Sequence, residues 1–234
     1  MKFAWIDERP FNYLNGSGEG PELLGCDVAL ARAAFARLGV GFEPVRTTFG
    51  ELLPGLAQGR WDVTTGMFIT PARQRRASFT RPIWSLRDGI LVPAGREING
   101  YRSLAASGVR LAVLRDQVQA THALANGFTA RDLVVYEDYP QAAAAVASGE
   151  IGGYASVGLA HREHLAAHPD DALAVVTVPD HEVTPSRGGF ACASPEIRDR
   201  LTAVLDQILG SAVPGEPSAD PSTWAVLGDD VDMR

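Results

Sequence analysis

Gly59-Arg60-Trp61-Asp62-Val63-Thr64-Thr65-Gly66-Met67-Phe68-Ile69-Thr70-Pro71-Ala72-Arg73-Gln74-Arg75-Arg76-Ala77-Ser78-Phe79-Thr80-Arg81-Pro82 decides how this chain is read. A β-prone run ends in Gly66. The Thr70-Pro71 pair then marks a helix start, a hydroxyl at the cap followed by the one residue that has no N–H to lose there. That helix carries Arg73, and an extended segment, 78–82, follows at once. The arrangement predicts a guanidinium and several unpaired backbone N–H groups at one spot, which suits a small carboxylate.

Outward from this stretch, strands and helices alternate. Residues 2–6 read as a strand, and 12–23, rich in Gly and Asn, as a hairpin-like loop. Asp27 is placed at an N-cap before Val28, Leu30, Ala31, Ala34, Phe35 and Leu38, apolar at helical spacing, with Gly39 as the stop. A strand at 42–45 and a short helix at 49–56 lead back to the opening stretch. Beyond it come strands at 89–92, 109–114, 133–136, 153–157, 173–178 and 188–193. Helices at 121–125, 141–147, 159–168 and 195–209 lie between and after them, while 213–220, rich in Pro, Gly and Ser, reads as irregular. This alternation predicts an α/β fold with largely parallel sheets. Two lobes fit best: 1–87 with 186–234 as a discontinuous first lobe, and 88–185 as the second.

Composition narrows the function. The 234 residues are 46% hydrophobic, enough for a real core, and the formal net charge of -7 argues against a nucleic-acid partner. Cys26 and Cys192 are too few for a disulfide framework; they read as buried thiols, with a single bridge left open. No run of 18 apolar residues occurs, so no membrane insertion is expected. Met1-Lys2-Phe3-Ala4-Trp5 enters the first strand without the apolar region of a secretory signal. Either an export signal has been removed, or the protein stays in the cytoplasm.

The opening stretch resembles the pattern G-x-x-D-x-x-x-x-G-M-x-I-T-P-E-R-x-x-x-x-x-F-S-x-P of the family 3 extracellular solute-binding proteins, the ligand-capturing subunits of polar amino-acid ABC importers. Other segments are similar in register: Arg9-Pro10-Phe11, Gly25-Cys26-Asp27-Val28-Ala29-Leu30-Ala31, Leu52-Leu53-Pro54-Gly55-Leu56, 109–117, 139–151 and 188–209. The resemblance covers about 200 residues, beyond what a chance motif match gives. It implies the two-lobed type II periplasmic-binding-protein fold: two mixed, mostly parallel sheets flanked by helices, joined by two hinge strands, closing on a ligand held in an interlobe cleft. It also implies a small-molecule ligand, an ABC transporter permease as partner, a monomer, a periplasmic location and no cofactor.

By resemblance Arg73 is the carboxylate clamp, with Gly66, Met67, Phe68 and Thr70 as neighbouring donors or wall. Phe68 departs from the pattern, which usually has Ser or Thr there; losing that hydroxyl removes roughly 1 kcal/mol of one contact and adds an apolar surface. The second lobe departs further. The acid that usually holds the ligand ammonium corresponds to Val157, and the usual G-T-T loop reads Asp116-Gln117-Val118. A desolvated ammonium without an anion is costly, so a standard α-amino acid in the usual pose is disfavoured. Asp7, Glu8 and Asp116 are candidate substitutes. Trp5, Phe11, Trp61 and Trp84 are candidate aromatic walls for a quaternary or ring cation, although Trp61 and Trp84 read first as core.

Other constellations are weaker. His161, His164 and His168, beside Glu163, share a helix face, but no H-E-x-x-H motif exists. Ser156 lies outside any G-x-S-x-G elbow, and no phosphate-binding glycine fingerprint occurs. Two rivals to the binding protein remain: a cyclohexadienyl dehydratase-like enzyme, which needs a general acid, and a ligand-sensing module.

Overall fold

In this computed structural model residues 1–15, 20–168 and 172–210 are described. The irregular stretch expected at 213–220 lies outside them. The chain divides into unit 1, Met1–Ser85 with the chain from Arg187 onward, and unit 2, Leu86–Ser186.

Along unit 1 run β1 (Lys2–Trp5), the hairpin β2 (Tyr13–Asn15) and β3 (Glu22–Leu24), α1 (Cys26–Arg37), β4 (Glu43–Arg46), α2 (Leu52–Ala57), β5 (Val63–Phe68), the one-turn α3 (Pro71–Gln74), β6 (Ser78–Phe79) and β7 (Trp84–Leu86). Unit 2 holds β8 (Asp88–Pro93), α4 (Tyr101–Ala106), β9 (Leu111–Leu114), α5 (Gln119–Ala125), β10 (Leu133–Tyr136), α6 (Tyr139–Ala147), β11 (Gly153–Val157), α7 (Gly158–Ala167) and β12 (Leu173–Thr177). Then β13 (Ser186–Cys192) and α8 (Pro195–Leu209) return to unit 1.

The sheet of unit 1 has the order β4-β1-β5-β13-β6, with β7 also on β13; that of unit 2 has β10-β9-β11-β8-β12. Both are mixed. Strands β4, β1 and β5 are parallel, as are β10, β9 and β11, but β13 runs against β5 and β6, and β8 against β11 and β12. Most strands of each sheet thus share one direction, as the alternation predicts, and β13 and β8 are the ones that run against it. A β–α–β crossover dictates parallel pairing, and β8 and β13 each enter their sheet without a helix of that sheet preceding them.

Capping chemistry sets the helix starts. Ser194 Oγ accepts from Ile197 N at 3.2 Å before α8, and Asp138 Oδ1 accepts from Gln141 N at 2.9 Å before α6. α1 differs from expectation: its N-cap is Gly25, at φ 128, and Asp27 is the second helical residue. A Cβ at position 25 would lie 2.1 Å from Phe11 O, so no capping side chain fits.

Unit 1 packs α2 and Trp61 over Ala4, Met67 and Ala191, while Phe3 meets Phe35 and Phe190 edge-on at 6.3 and 5.8 Å. Unit 2 alternates as a sheet buried on both faces must. Ile90, Val92, Leu111, Val113 and Ala155 face Tyr101, Leu104 and Phe128, whereas Leu91, Ala112 and Tyr154 face α6. Each fully buried Leu, Ile or Val contributes about 1.5–3 kcal/mol. Cys26 and Cys192 are buried free thiols, each with its pKa raised by burial.

Candidate functional site

The site on unit 1 is built where β5 ends. Thr70 takes the extended N-cap conformation, its Oγ1 accepts from Arg73 N at 3.2 Å, and Pro71 fills the first helical position. With Arg73 N–H occupied and the helix one turn long, little macrodipole develops. Of the backbone N–H groups expected there, that of Arg73 is taken by Thr70, and the side chain is the charged group on offer. The half-buried Arg73 guanidinium donates from Nη1 to Phe68 O at 2.9 Å and stands 5.2 Å from the Phe49 ring centroid. A planar fork held on an aromatic face and a carbonyl is preorganised for a carboxylate.

The same strand β5 also borders a buried polar core. Asp27, fully buried, accepts from Thr65 Oγ1 at 2.7 Å, Gly66 N at 2.8 Å and Trp84 Nε1 at 3.0 Å, and Asn12 Nδ2 donates to Thr65 Oγ1 at 2.6 Å. Burial raises the Asp27 pKa, and these hydrogen bonds counter part of the rise. The Trp84 indole lies against two glycines: a Cβ at Gly188 would fall 1.9 Å from the ring, and one at Gly66 2.8 Å from it. Phe68 meets Trp84 edge-on at 5.5 Å and Phe11 lies 5.6 Å from it.

Two expectations, at Gly66 and Met67, are corrected here. Gly66 is no ligand donor, because its N–H is bound to Asp27. Met67 is no wall, because it is buried with Leu52, Leu53 and Leu56 beneath α2. Asp7 is exposed and pairs with Arg46 at 2.8 Å. Trp61 is core, in line with its first reading, and donates to Leu52 O at 2.9 Å. Glu8 remains a candidate. It is half-buried, and burial, followed by the negative charge of Asp27, raises its pKa from 4.5 to about 7.

Unit 2 has its own candidate edge. Asp116, exposed after β9, adopts φ 62, the left-handed conformation that the glycine of the related pattern reaches freely. Gln117 and Val118 are half-buried. Val157 is buried at the end of β11, directly opposite Asp88 on β8. The sequence reading missed Asp88. It is buried beneath Tyr101 OH at 2.7 Å, Gln119 Nε2 at 3.1 Å and His122 Nδ1 at 2.7 Å. The signal was available: an acid heading the apolar run Gly89-Ile90-Leu91-Val92 has to find partners.

His161 and His164 on α7 and His168 at its C-cap do not gather as metal ligands. His161 is fully buried with Nδ1 at 2.7 Å from Tyr139 OH, and burial lowers its pKa to about 3. His164 and His168 stack with ring centroids 4.4 Å apart. Among the described residues no three His, Cys, Asp or Glu side chains cluster as metal ligands, and no helix is long and apolar enough to cross a membrane.

Known proteins share this architecture. A probable amino-acid ABC transporter periplasmic-binding protein of Sinorhizobium fredii is 29% identical over 220 residues, 88% of this chain and 71% of that protein. The crystal structure of the substrate-binding protein of an amino acid ABC transporter superposes with a TM-score of 0.80 at 18% identity, covering 100% of this chain and 99% of that one. An ancestral amino-acid-binding protein, a precursor of cyclohexadienyl dehydratase, superposes with a TM-score of 0.75 at 24% identity, covering 91% and 90%. The fold is the type II periplasmic-binding fold, a mixed α/β architecture with helix-flanked sheets. The model of the bacterial extracellular solute-binding proteins, family 3, matches residues 3–212, and the chain belongs to that family.

Proposed function

We propose that this protein is the non-catalytic, solute-capturing subunit of an ABC importer. It binds an amino acid or amino-acid derivative by its carboxylate and passes it to a permease. Arg73 carries the reading: its guanidinium is half-buried and oriented by Phe68 O and the Phe49 ring, at a helix start capped by Thr70. A charge-assisted pair in such a setting contributes about 1.5–3 kcal/mol. Phe68 gives the solute an aromatic neighbour where the family pattern has a hydroxyl. In keeping with the family's extracellular description, the protein acts outside the cytoplasm, as a monomer.

A thermal-shift screen of amino acids, betaines, ectoines and dicarboxylates tests this. At about a hundredfold excess over Kd, a true ligand stabilises by about 2.7 kcal/mol. Arg73→Ala then weakens its binding by roughly 100-fold in calorimetry. If no solute raises the melting temperature, or Arg73→Ala binds as wild type does, the reading is wrong.

One observation favours a second reading. Glu8, with its pKa raised to about 7, is a half-buried group able to hold and release a proton near neutrality, as a dehydratase acid must. Conversion of prephenate to phenylpyruvate, followed by absorbance and abolished by Glu8→Gln, would establish it.

A further inference from the structure

Unit 2 has a surface cavity of about 420 Å³, lined by Arg102, Ala105 and Ala106 from α4 and by Ala125, Asn126 and Gly127 from the end of α5. The first three stand at i, i+3 and i+4, which is one face of a helix. Asn126 is the C-cap of α5, and Gly127 turns the chain away at φ 104, a conformation that a residue with a Cβ rarely takes. The alanines and Gly127 form apolar walls. The volume lies within the range of small-molecule pockets, about 300–1,000 Å³. The cavity belongs wholly to unit 2 and lies at the opposite end of α5 from Asp116, Gln117 and Val118.

Its charge is held in place. Asn126 is 4% exposed, and its Nδ2 donates to His122 O at 2.9 Å and to Glu182 O at 3.1 Å. Carbonyls only accept, so the amide has one orientation, and its Oδ1 accepts from Arg102 Nε at 3.1 Å. A neutral, buried partner thus fixes the guanidinium. Arg87 and Arg115 in the same unit are paired with Asp180 and Glu137. Among the described residues no carboxylate stands within ion-pair distance of Arg102. Glu182 spends its carboxylate on backbone N–H groups, Tyr101 N at 2.6 Å and Arg102 N at 3.4 Å. Both Nη groups of Arg102 keep their hydrogens for an incoming acceptor. A planar fork set beside apolar walls recognises a carboxylate head with a hydrocarbon tail.

We propose that this cavity is a second anion site, for free monocarboxylates with a short apolar chain, and that it works independently of solute capture at Arg73. The carboxylate pairs with the Nη groups of Arg102, and the chain lies over Ala105, Ala106 and Ala125. Asn126 is the positioning residue. Because Arg102 is exposed, the affinity is modest, with a Kd of about a millimolar.

Titration of the full chain with butyrate at constant ionic strength, followed by ¹H–¹⁵N NMR, tests this. Acetate supplies the head group alone, and butanol and butylammonium supply the chain without the carboxylate. Butyrate moves the Gly127 amide and Arg102 Nε–H signals in one saturable transition, and acetate binds about tenfold more weakly because it lacks two methylenes. Butanol and butylammonium leave both signals in place. Arg102→Gln weakens butyrate at least about tenfold, and Arg102→Lys, which keeps the charge without the fork, about threefold. Ala106→Leu fills the cavity from an exposed position, so butyrate falls to the level of acetate while acetate is unchanged. Arg73→Ala leaves the transition as it was. The proposal is overturned if no saturable transition occurs at these signals, if butanol matches butyrate, or if Arg102→Gln binds as the wild type does. Loss of the transition in Arg73→Ala overturns it too, because the signals would then be reporting solute capture in unit 1.

Discussion

Asp27 in unit 1 and Asp88 in unit 2 are both buried carboxylates that engage three strong donors, and they differ in who those donors are. The partners of Asp27, Thr65 Oγ1, Gly66 N and Trp84 Nε1, come from β5 and β7 and tie those strands to the first turn of α1. The partners of Asp88 come from α4 and α5, and one of them, His122, extends to the surface. The first network closes on itself and fixes a shape. The second ends in an imidazole that reaches the surface. Buried acids of similar appearance thus differ in setting, and the exposure of the last partner separates them.

The largest effect that would sharpen this contrast is on stability. Asp27→Ala leaves Thr65, Gly66 and Trp84 without their acceptor and lowers stability by about 3 kcal/mol or more in urea titration. If the variant keeps its stability and loses solute binding instead, Asp27 belongs with the ligand groups and the contrast breaks.

Next comes Glu8, with a sign that can be stated. Its folded pKa, about 7, lies above the free value of 4.5, so the fold disfavours the ionised form. Its contribution is complete below pH 4.5 and is lost as pH rises towards 7. Glu8→Gln should therefore match the wild type at low pH and exceed it above neutrality by on the order of 1 kcal/mol, less than the full shift because Glu8 keeps part of its surface in water. Equal urea midpoints at both ends of that range would remove the case for Glu8 as a neutral-pH proton carrier.

The smallest effect is at the β9–α5 turn. Asp116→Gly relieves a left-handed conformation and raises stability by about 0.5 kcal/mol. A loss of stability instead would mean that the Asp116 side chain holds the turn, which would separate it from a purely conformational role.

What could be read from the sequence was local. Thr70, Pro71 and Arg73 lie within four residues, and capping chemistry acts at that range, so the helix start and its guanidinium were visible. The strand and helix order was visible for the same reason. Met67 was misassigned because an apolar residue beside a site motif has the same letter whether it faces ligand or core; only α2 packing on it decides. Asp27 was taken for a cap because a capping acid and a networked acid both precede an apolar helix. The direction of β8 and β13 and the pairing of Asp88 with His122, 34 residues apart, depend on tertiary placement that no local pattern encodes.

The position of β13 has a consequence for biosynthesis. In the order β4-β1-β5-β13-β6 it is an interior strand, yet among the described residues it is the last strand to leave the ribosome. The whole of Leu86–Ser186 emerges first and contains every strand of its own sheet. A nascent chain halted before residue 186 would carry a finished second unit alongside a first one split in two, with the β5 backbone unpaired along one side. Such a flank is a template for another copy, so truncated products should associate through β5, and a holdase that covers it would be needed only until Cys192 has arrived.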